Sequence, residues 1–255
     1  MTSGQTWIGS AAADLAREFK TPLYIYSRER IESAYAGYEA AFAAVPHRIC
    51  YALKANSSLG ILRIFAALGA GADIVSGGEL KQALRAGFKP ADIVFSGVGK
   101  TDEELSLGLD EGIGEFNVES ESELRRLSAL AAGRGARALV TLRVNPNVDP
   151  KSHPYISTGL RENKFGVPVE EAARILREAR SLPGLAVSGV QCHIGSQLRD
   201  LGPSTEAVRA LATLSRLLLS EGFALRTIDM GGGLGVDYEG TGAPSPADLA
   251  ALVLP

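Results

Sequence analysis

The chain has 255 residues, 45% hydrophobic and 22% charged, the composition of a soluble globular protein with enough apolar material for one large α/β barrel or two small domains. A net charge of −3, with basic residues spread along the chain, makes nucleic acid and anionic membrane poor partners. No apolar run approaches the ~20 residues that span a bilayer, and the start MTSGQTWIGSAAADLA lacks the basic region and apolar core of a secretory signal. A cytoplasmic location follows as the expectation, with Cys50 and Cys192 as buried reduced thiols inside apolar runs.

In chain order, TPLYIYSRERI reads as a strand running into a helix, with no partner in the pattern that follows. From residue 47 onward short apolar runs alternate with amphipathic stretches. HRICYALKAN, ADIVSGG, DIVFSG, EFNVES, RALVTLRVN, SGVQCHIGS and LRTIDMGGG each read as a strand buried on both faces. Thr101 with Glu104, and Ser120 with Glu123, fit the capping box that opens a helix. Gly87, Gly112 and Gly222 stand where the intervening helices should stop. Strand and helix in alternation, without a hairpin signal, predict a parallel sheet, and seven such strands favour a (β/α)8 barrel over an open doubly wound sheet.

Polar residues collect at the strand ends: Lys54, Asp73, Glu79, Asn117, Arg143, His193, Ser196 and the glycines from Gly231. In a barrel those ends form one rim, where catalytic groups sit. Lys54, after four apolar or aromatic positions, should lose hydration there, which favours a neutral, nucleophilic amine; a lysine snorkelling to water is the plainer alternative. His193 ends another apolar strand, and Ser196 follows in a glycine-containing turn where a hydroxyl can bind a phosphate. Gly231, Gly232, Gly233 and Gly235 follow a strand directly, so backbone N–H groups can converge on an anion, or the run can simply make a tight barrel corner. Glu79 can open a helix, and Arg143, inside an apolar strand, needs an anionic partner: Asp73, a cofactor oxygen or a substrate carboxylate. The segment VDPKSHPYISTGLRENKFG exceeds the usual ~2–6-residue connection and reads as a functional loop or lid. His153 within it has no ligand companion, and with three histidines and no HxxxH or CxxC pattern no metal site is expected.

Taken in order, YALKAN, GADIVSGGEL, FNVESESEL, HPYISTG followed by KFG, HIGSQ and DMGGGLG resemble the fold-type III pyridoxal-phosphate decarboxylases, over most of residues 21–238. The HPYISTG loop is similar to their diaminopimelate branch. The resemblance implies an alanine racemase-like (β/α)8 barrel and pyridoxal 5'-phosphate as cofactor. Lys54 would carry it as a Schiff base, and His193 would stack on its ring; these two are the implied catalytic residues. Ser196 and the backbone of Gly231, Gly232 and Gly233 would hold its phosphate, with Asp73, Glu79 and Arg143 lining it. The implied reaction converts meso-2,6-diaminopimelate to L-lysine and CO2, the end of lysine biosynthesis.

Members of that family continue through an eighth strand bearing an E-x-G-R motif into a β-rich C-terminal domain, and complete their sites across a homodimer. This sequence stops at Pro255. The expectation is therefore a barrel (residues 29–255) without its eighth strand and C-terminal domain, poorly active alone. Residues 1–28 would be a strand and helix that pair with the absent domain. Another fold-type III enzyme (an ornithine or arginine decarboxylase, or an alanine racemase) and a non-catalytic cofactor-binding protein are the alternatives.

Overall fold

A computed structural model describes residues 11–149, 165–238 and 240–254. All seven apolar runs form strands. They are β1 (Cys50–Ala52), β2 (Gly71–Ile74), β3 (Ile93–Phe95), β4 (Glu115–Val118), β5 (Ala138–Asn145), then a short extra β6 (Val167–Pro168), β7 (Leu185–Gln191) and β8 (Thr227–Asp229). Every pairing is parallel, in the order β1-β2-β3-β4-β5-β7-β8, with β6 laid against the end of β5. The sheet curls like a barrel wall: the Asn117 amide of β4 donates to the Asp229 carboxylate of β8 at 3.0 Å, although β5 and β7 lie between them along the sheet.

The helices are α1 (Ala11–Phe19), α2 (Arg28–Phe42), α3 (Leu59–Leu68), α4 (Gly77–Ala86), α5 (Asp102–Asp110), α6 (Glu121–Gly133), α7 (Val169–Ser181), α8 (Gly202–Ser220) and α9 (Pro246–Val253). Helices α3 to α8 cover the outer face of the sheet, burying Leu62, Leu80, Leu105, Leu127, Leu176 and Leu211 in one core with Phe95, Phe116 and Leu142. A smaller cluster of Phe42, Leu201, Leu249 and Ala250 docks α9 on α2, so the last described helix returns to the helix that immediately precedes the sheet. Among the described residues no helix is long and apolar enough to cross a membrane.

The helix signals hold with one revision. Thr101 and Glu104 form a reciprocal capping box, and Gly87, Gly112 and Gly222 take left-handed φ values of 100°, 64° and 80° at or just past their helix ends. Ser120 caps α6 by accepting from the Glu123 N–H, but the Glu123 carboxylate accepts from the N–H of Glu119, one residue before the cap. Two other expectations change. β1 is half-buried along its length and Ile228 of β8 is 47% exposed, because each of these edge strands has a neighbour on one side only. Cys50, on the edge strand β1, is likewise half-buried rather than buried; Cys192 is buried. The segment before α2 forms no strand: Tyr24 is 85% exposed, and no described strand lies alongside to complete a ladder. Its helix does form, opened by Ser27, whose hydroxyl accepts from the Arg30 N–H.

Candidate active site

Because every strand runs the same way, their carboxyl ends meet at one rim, and the residues singled out from the sequence arrive there on β1, β2, β4, β5, β7 and β8. Ala52 pairs in register with Asp73, which sets Lys54 just past Asp73 on the neighbouring strand. Lys54 lies in a single 3-10 turn (Leu53–Ala55) and is exposed, so the expected loss of hydration is not made by this chain's own atoms. The three-residue β1 ends before Lys54 and leaves its side chain at the edge of the sheet. The Lys54 charge reaches Asp73, Glu79 and His193.

Asp73 is pushed above the usual carboxylate range by burial, against a 2.5 Å hydrogen bond from the Ser96 hydroxyl and the charges of Lys54, Arg143 and Lys100. Glu79 first serves its helix: its carboxylate accepts from the Val75 N–H at 2.8 Å while Ser76 accepts from the Glu79 N–H. Burial also raises Glu79, and its remaining reach is toward Asp73 and Lys54.

Arg143 finds a partner that sequence reasoning missed. Its guanidinium donates to Glu119 at 2.7 Å, the two side chains being 11% and 4% exposed. The other Glu119 oxygen accepts from the Gly166 N–H at 3.1 Å, and the Phe165 ring lies 5.0 Å from the guanidinium, so the end of the KFG segment closes over Arg143. The preceding HPYISTG stretch, with His153, lies outside the described residues. A second missed pair stands behind the first. Lys100 Nζ donates to the carbonyls of Gly97 and Asn117 and to Glu123 at 2.6, 2.7 and 2.7 Å, with its side chain 1% exposed. No local pattern marks these pairs, since their members lie 23 to 24 residues apart and meet only when neighbouring strand ends align.

The loops after β7 and β8 are joined to each other. Leu198 N–H donates to Gly233 O at 2.8 Å, Gly235 N–H to Leu198 O at 3.0 Å, and the Gln197 amide bonds both backbone groups of Val236. Ser196 is exposed in this junction. Gly231 and Gly233 have φ of 71° and 105°, and a Cβ on Gly233 would run into the Gly195 carbonyl, whereas one on Gly232 would meet nothing within 4 Å. The Gly231 N–H is already donated to Asp229 at 2.8 Å. The amides left for an anion in this run are therefore those of Gly232, which leans on His193 Nδ1 at 3.4 Å, and Gly233.

His193 is held well below the usual imidazole range, to about 4, by burial and by the charges of Arg143 and Lys54. Asp229 moves the other way, to about 6, through burial that its bonds from Gly231 and Asn117 only partly offset. A base depressed from 6.5 to about 4 contributes stability that is present above pH 6.5 and lost as pH falls toward 4. A carboxyl raised from 3.8 to about 6 contributes stability that is lost as pH rises through 6. Between pH 6.5 and 4 the wild type is thus expected to lose stability relative to His193→Gln, and NMR should show an uncharged His193 imidazole at pH 6. A midpoint near 6.5 would contradict its burial.

The chain matches the family model of the pyridoxal-dependent decarboxylase, pyridoxal binding domain, over residues 28–254. The chain belongs to this family. It is 50% identical to diaminopimelate decarboxylase of Vibrio cholerae over 252 residues, 98% of this chain and 60% of that protein. It is also 50% identical to the diaminopimelate decarboxylase of Pseudomonas aeruginosa over 245 residues, 96% of this chain and 59% of that one. The chain thus spans about three-fifths of the length of the curated relatives it matches. Among solved structures, the Helicobacter pylori diaminopimelate decarboxylase complexed with L-lysine superposes with a TM-score of 0.93 at 45% identity, covering 95% of this chain and 62% of that one. A lysine decarboxylase from Selenomonas ruminantium gives 0.81 at 26% identity, covering 94% and 59%. The family's cofactor, pyridoxal phosphate, fits the rim: an exposed amine, a neutral imidazole, a fixed guanidinium and a glycine turn free of Cβ atoms are donors suited to an aldehyde, an aromatic ring and a phosphate.

Proposed function

We propose that this chain is the pyridoxal-phosphate-binding part of a diaminopimelate decarboxylase, which removes CO2 from meso-2,6-diaminopimelate to leave L-lysine. The observation that carries the reading is the convergence of Lys54, Asp73, Arg143, His193 and the glycine loop on one rim, in a chain half identical to diaminopimelate decarboxylases. When bound, the cofactor supplies the electron sink that makes decarboxylation accessible.

The chain's own residues supply the rest. Lys54 is the lysine that holds the cofactor, because it presents a free amine at the rim; Lys100 has all three donors committed to buried acceptors. Asp73 and Glu79 are the carboxyl groups that the Lys54 charge reaches, and that charge favours their ionised forms. An imidazole that stays neutral at working pH offers a flat ring for stacking without bringing a second positive charge beside Arg143, so His193 carries that role. Arg143, fixed by Glu119, places a permanent positive charge in the site. The Ser196 hydroxyl and the amides of Gly232 and Gly233 take the phosphate, and Gly231 gives the turn its shape. The same reading makes the working enzyme a cytoplasmic homodimer, which sedimentation of the cofactor-loaded protein tests.

Protein loaded with pyridoxal phosphate is expected to show the absorbance of the lysine-attached cofactor, and Lys54→Ala to lose it together with lysine formation. Ornithine and arginine serve as control substrates. A soluble, folded parent protein without that absorbance would remove the Lys54 assignment, and preference for a control substrate would move the chain to another branch of the family.

A further inference from the structure

We propose that Ser96 and Asn117 are positioning residues for Lys54, fixing the Asp73 carboxylate next to it and tying that carboxylate to Asp229 on the other side of the barrel mouth. The proposal rests on the reading of Lys54 as the cofactor lysine.

The row of bonds has one direction. Ser96 owns a single hydroxyl proton and gives it to Asp73 at 2.5 Å, so the Ser96 oxygen must accept its next bond. The Asn117 amide nitrogen supplies that bond at 3.1 Å and uses its second hydrogen on Asp229 at 3.0 Å. Turning the amide over would set its oxygen against the Asp229 carboxylate, two acceptors facing each other, which assigns the orientation. The consequence is a buried Asn117 Oδ1 with no hydrogen-bond partner. A buried polar atom left in this way is unfavourable, and the flanking Phe116 and Val118 show that this strand readily carries apolar residues. The position is therefore shaped by the Ser96 hydroxyl and the Asp229 carboxylate it feeds and not by core packing.

The surroundings of both carboxylates give the row its purpose. Asp73 faces the positive charges of Lys54, Arg143 and Lys100, and its own charge is felt by Glu79, Cys50 and Asp229. Asp229 faces Asp73 and Glu115, and its charge is felt by Cys50 and Cys192. Both are half-buried, and burial favours the neutral form; a hydroxyl and an amide aimed at them favour the charged form. The Ser96 hydroxyl thus favours the anionic form of Asp73 within reach of the Lys54 charge, and the Asn117 amide does the same for Asp229 without a second cation.

Carbon-13 carboxyl titrations of the cofactor-free protein, assigned with Asp73→Asn, test the row independently of Lys54 chemistry. Ser96→Ala should raise the Asp73 midpoint by about one pH unit, and Ser96→Thr, which keeps the hydroxyl, should restore it. Asp229→Asn should lower that midpoint, because a like charge is removed. In the loaded protein, the pH midpoint of the cofactor absorbance should fall in Ser96→Ala, because an Asp73 that protonates more readily puts less negative charge near position 54, and return in Ser96→Thr. A general loss of stability moves neither midpoint. An unchanged Asp73 titration in Ser96→Ala, or a cofactor midpoint that ignores it, overturns the proposal. Absence of the absorbance in the parent protein overturns the cofactor-lysine reading on which it rests.

Discussion

Lys100→Met should destabilise the protein by about 3–5 kcal/mol, the usual consequence of removing one partner from a buried ion pair. The cost comes less from the lost attraction than from what remains. Glu123 would be left in a nearly inaccessible position with no cation, and the Gly97 and Asn117 carbonyls would each lose a donor. Glu123 also accepts from the Glu119 N–H, and the Glu119 carboxylate holds Arg143, so the damage should travel two strand ends to the rim. Lys100→Met with Glu123→Gln should be much less destabilised than the sum of the two single changes, because no unpaired charge then remains inside. Urea denaturation of the four proteins measures this directly. A loss below about 1 kcal/mol in Lys100→Met, the range of a solvent-exposed pair, would show that the pair is not buried in solution.

The glycine loop supports an equally sharp contrast between neighbours. Gly233→Ala should cost about 2–4 kcal/mol, because alanine disfavours a φ of 105° and its Cβ would enter the space of the Gly195 carbonyl. The Leu198 N–H bond to the Gly233 carbonyl, one rung of the junction between the two loops, would be strained with it. Gly232→Ala, one position earlier, has neither a positive φ nor an atom within 4 Å, so it should leave stability within about 0.5 kcal/mol of the parent. Its methyl would instead stand in the open space where an anion approaches the amides, and cofactor affinity should fall. Equal melting temperatures for the two variants would contradict the geometry of the turn, and unchanged affinity in Gly232→Ala would move the phosphate elsewhere on the rim.

The parts of the site readable in advance are those that a strand end announces. Lys54, Asp73, Arg143 and His193 each interrupt or follow an apolar run, and a parallel sheet carries all such positions to one edge. Helix boundaries were legible for a similar reason: a capping side chain or a left-handed glycine acts within one turn of itself, as at Thr101 and Gly87. Ser96, Lys100, Glu119 and Asp229 were not, since each is an ordinary polar residue in an ordinary loop or strand until another strand supplies its partner. Ser120 shows the limit within a single motif. Its pattern with Glu123 is a capping box, yet the Glu123 carboxylate turned to Lys100 and the Glu119 N–H because a buried cation 23 residues away outweighs one N–H at a helix end.

By itself, then, the sequence determined the alternation of strand and helix, the parallel sheet and the list of strand-end residues, because burial period and capping are local properties of the chain. Tertiary structure alone decided who pairs with whom. It matched Arg143 with Glu119 instead of Asp73, left Lys54 exposed at an edge strand, and bound Asp73 to Asp229 through Ser96 and Asn117. Those outcomes depend on the curl of the sheet, which brings β4 to β8 across the mouth. Curl arises from packing all the strands together, so no single strand records it.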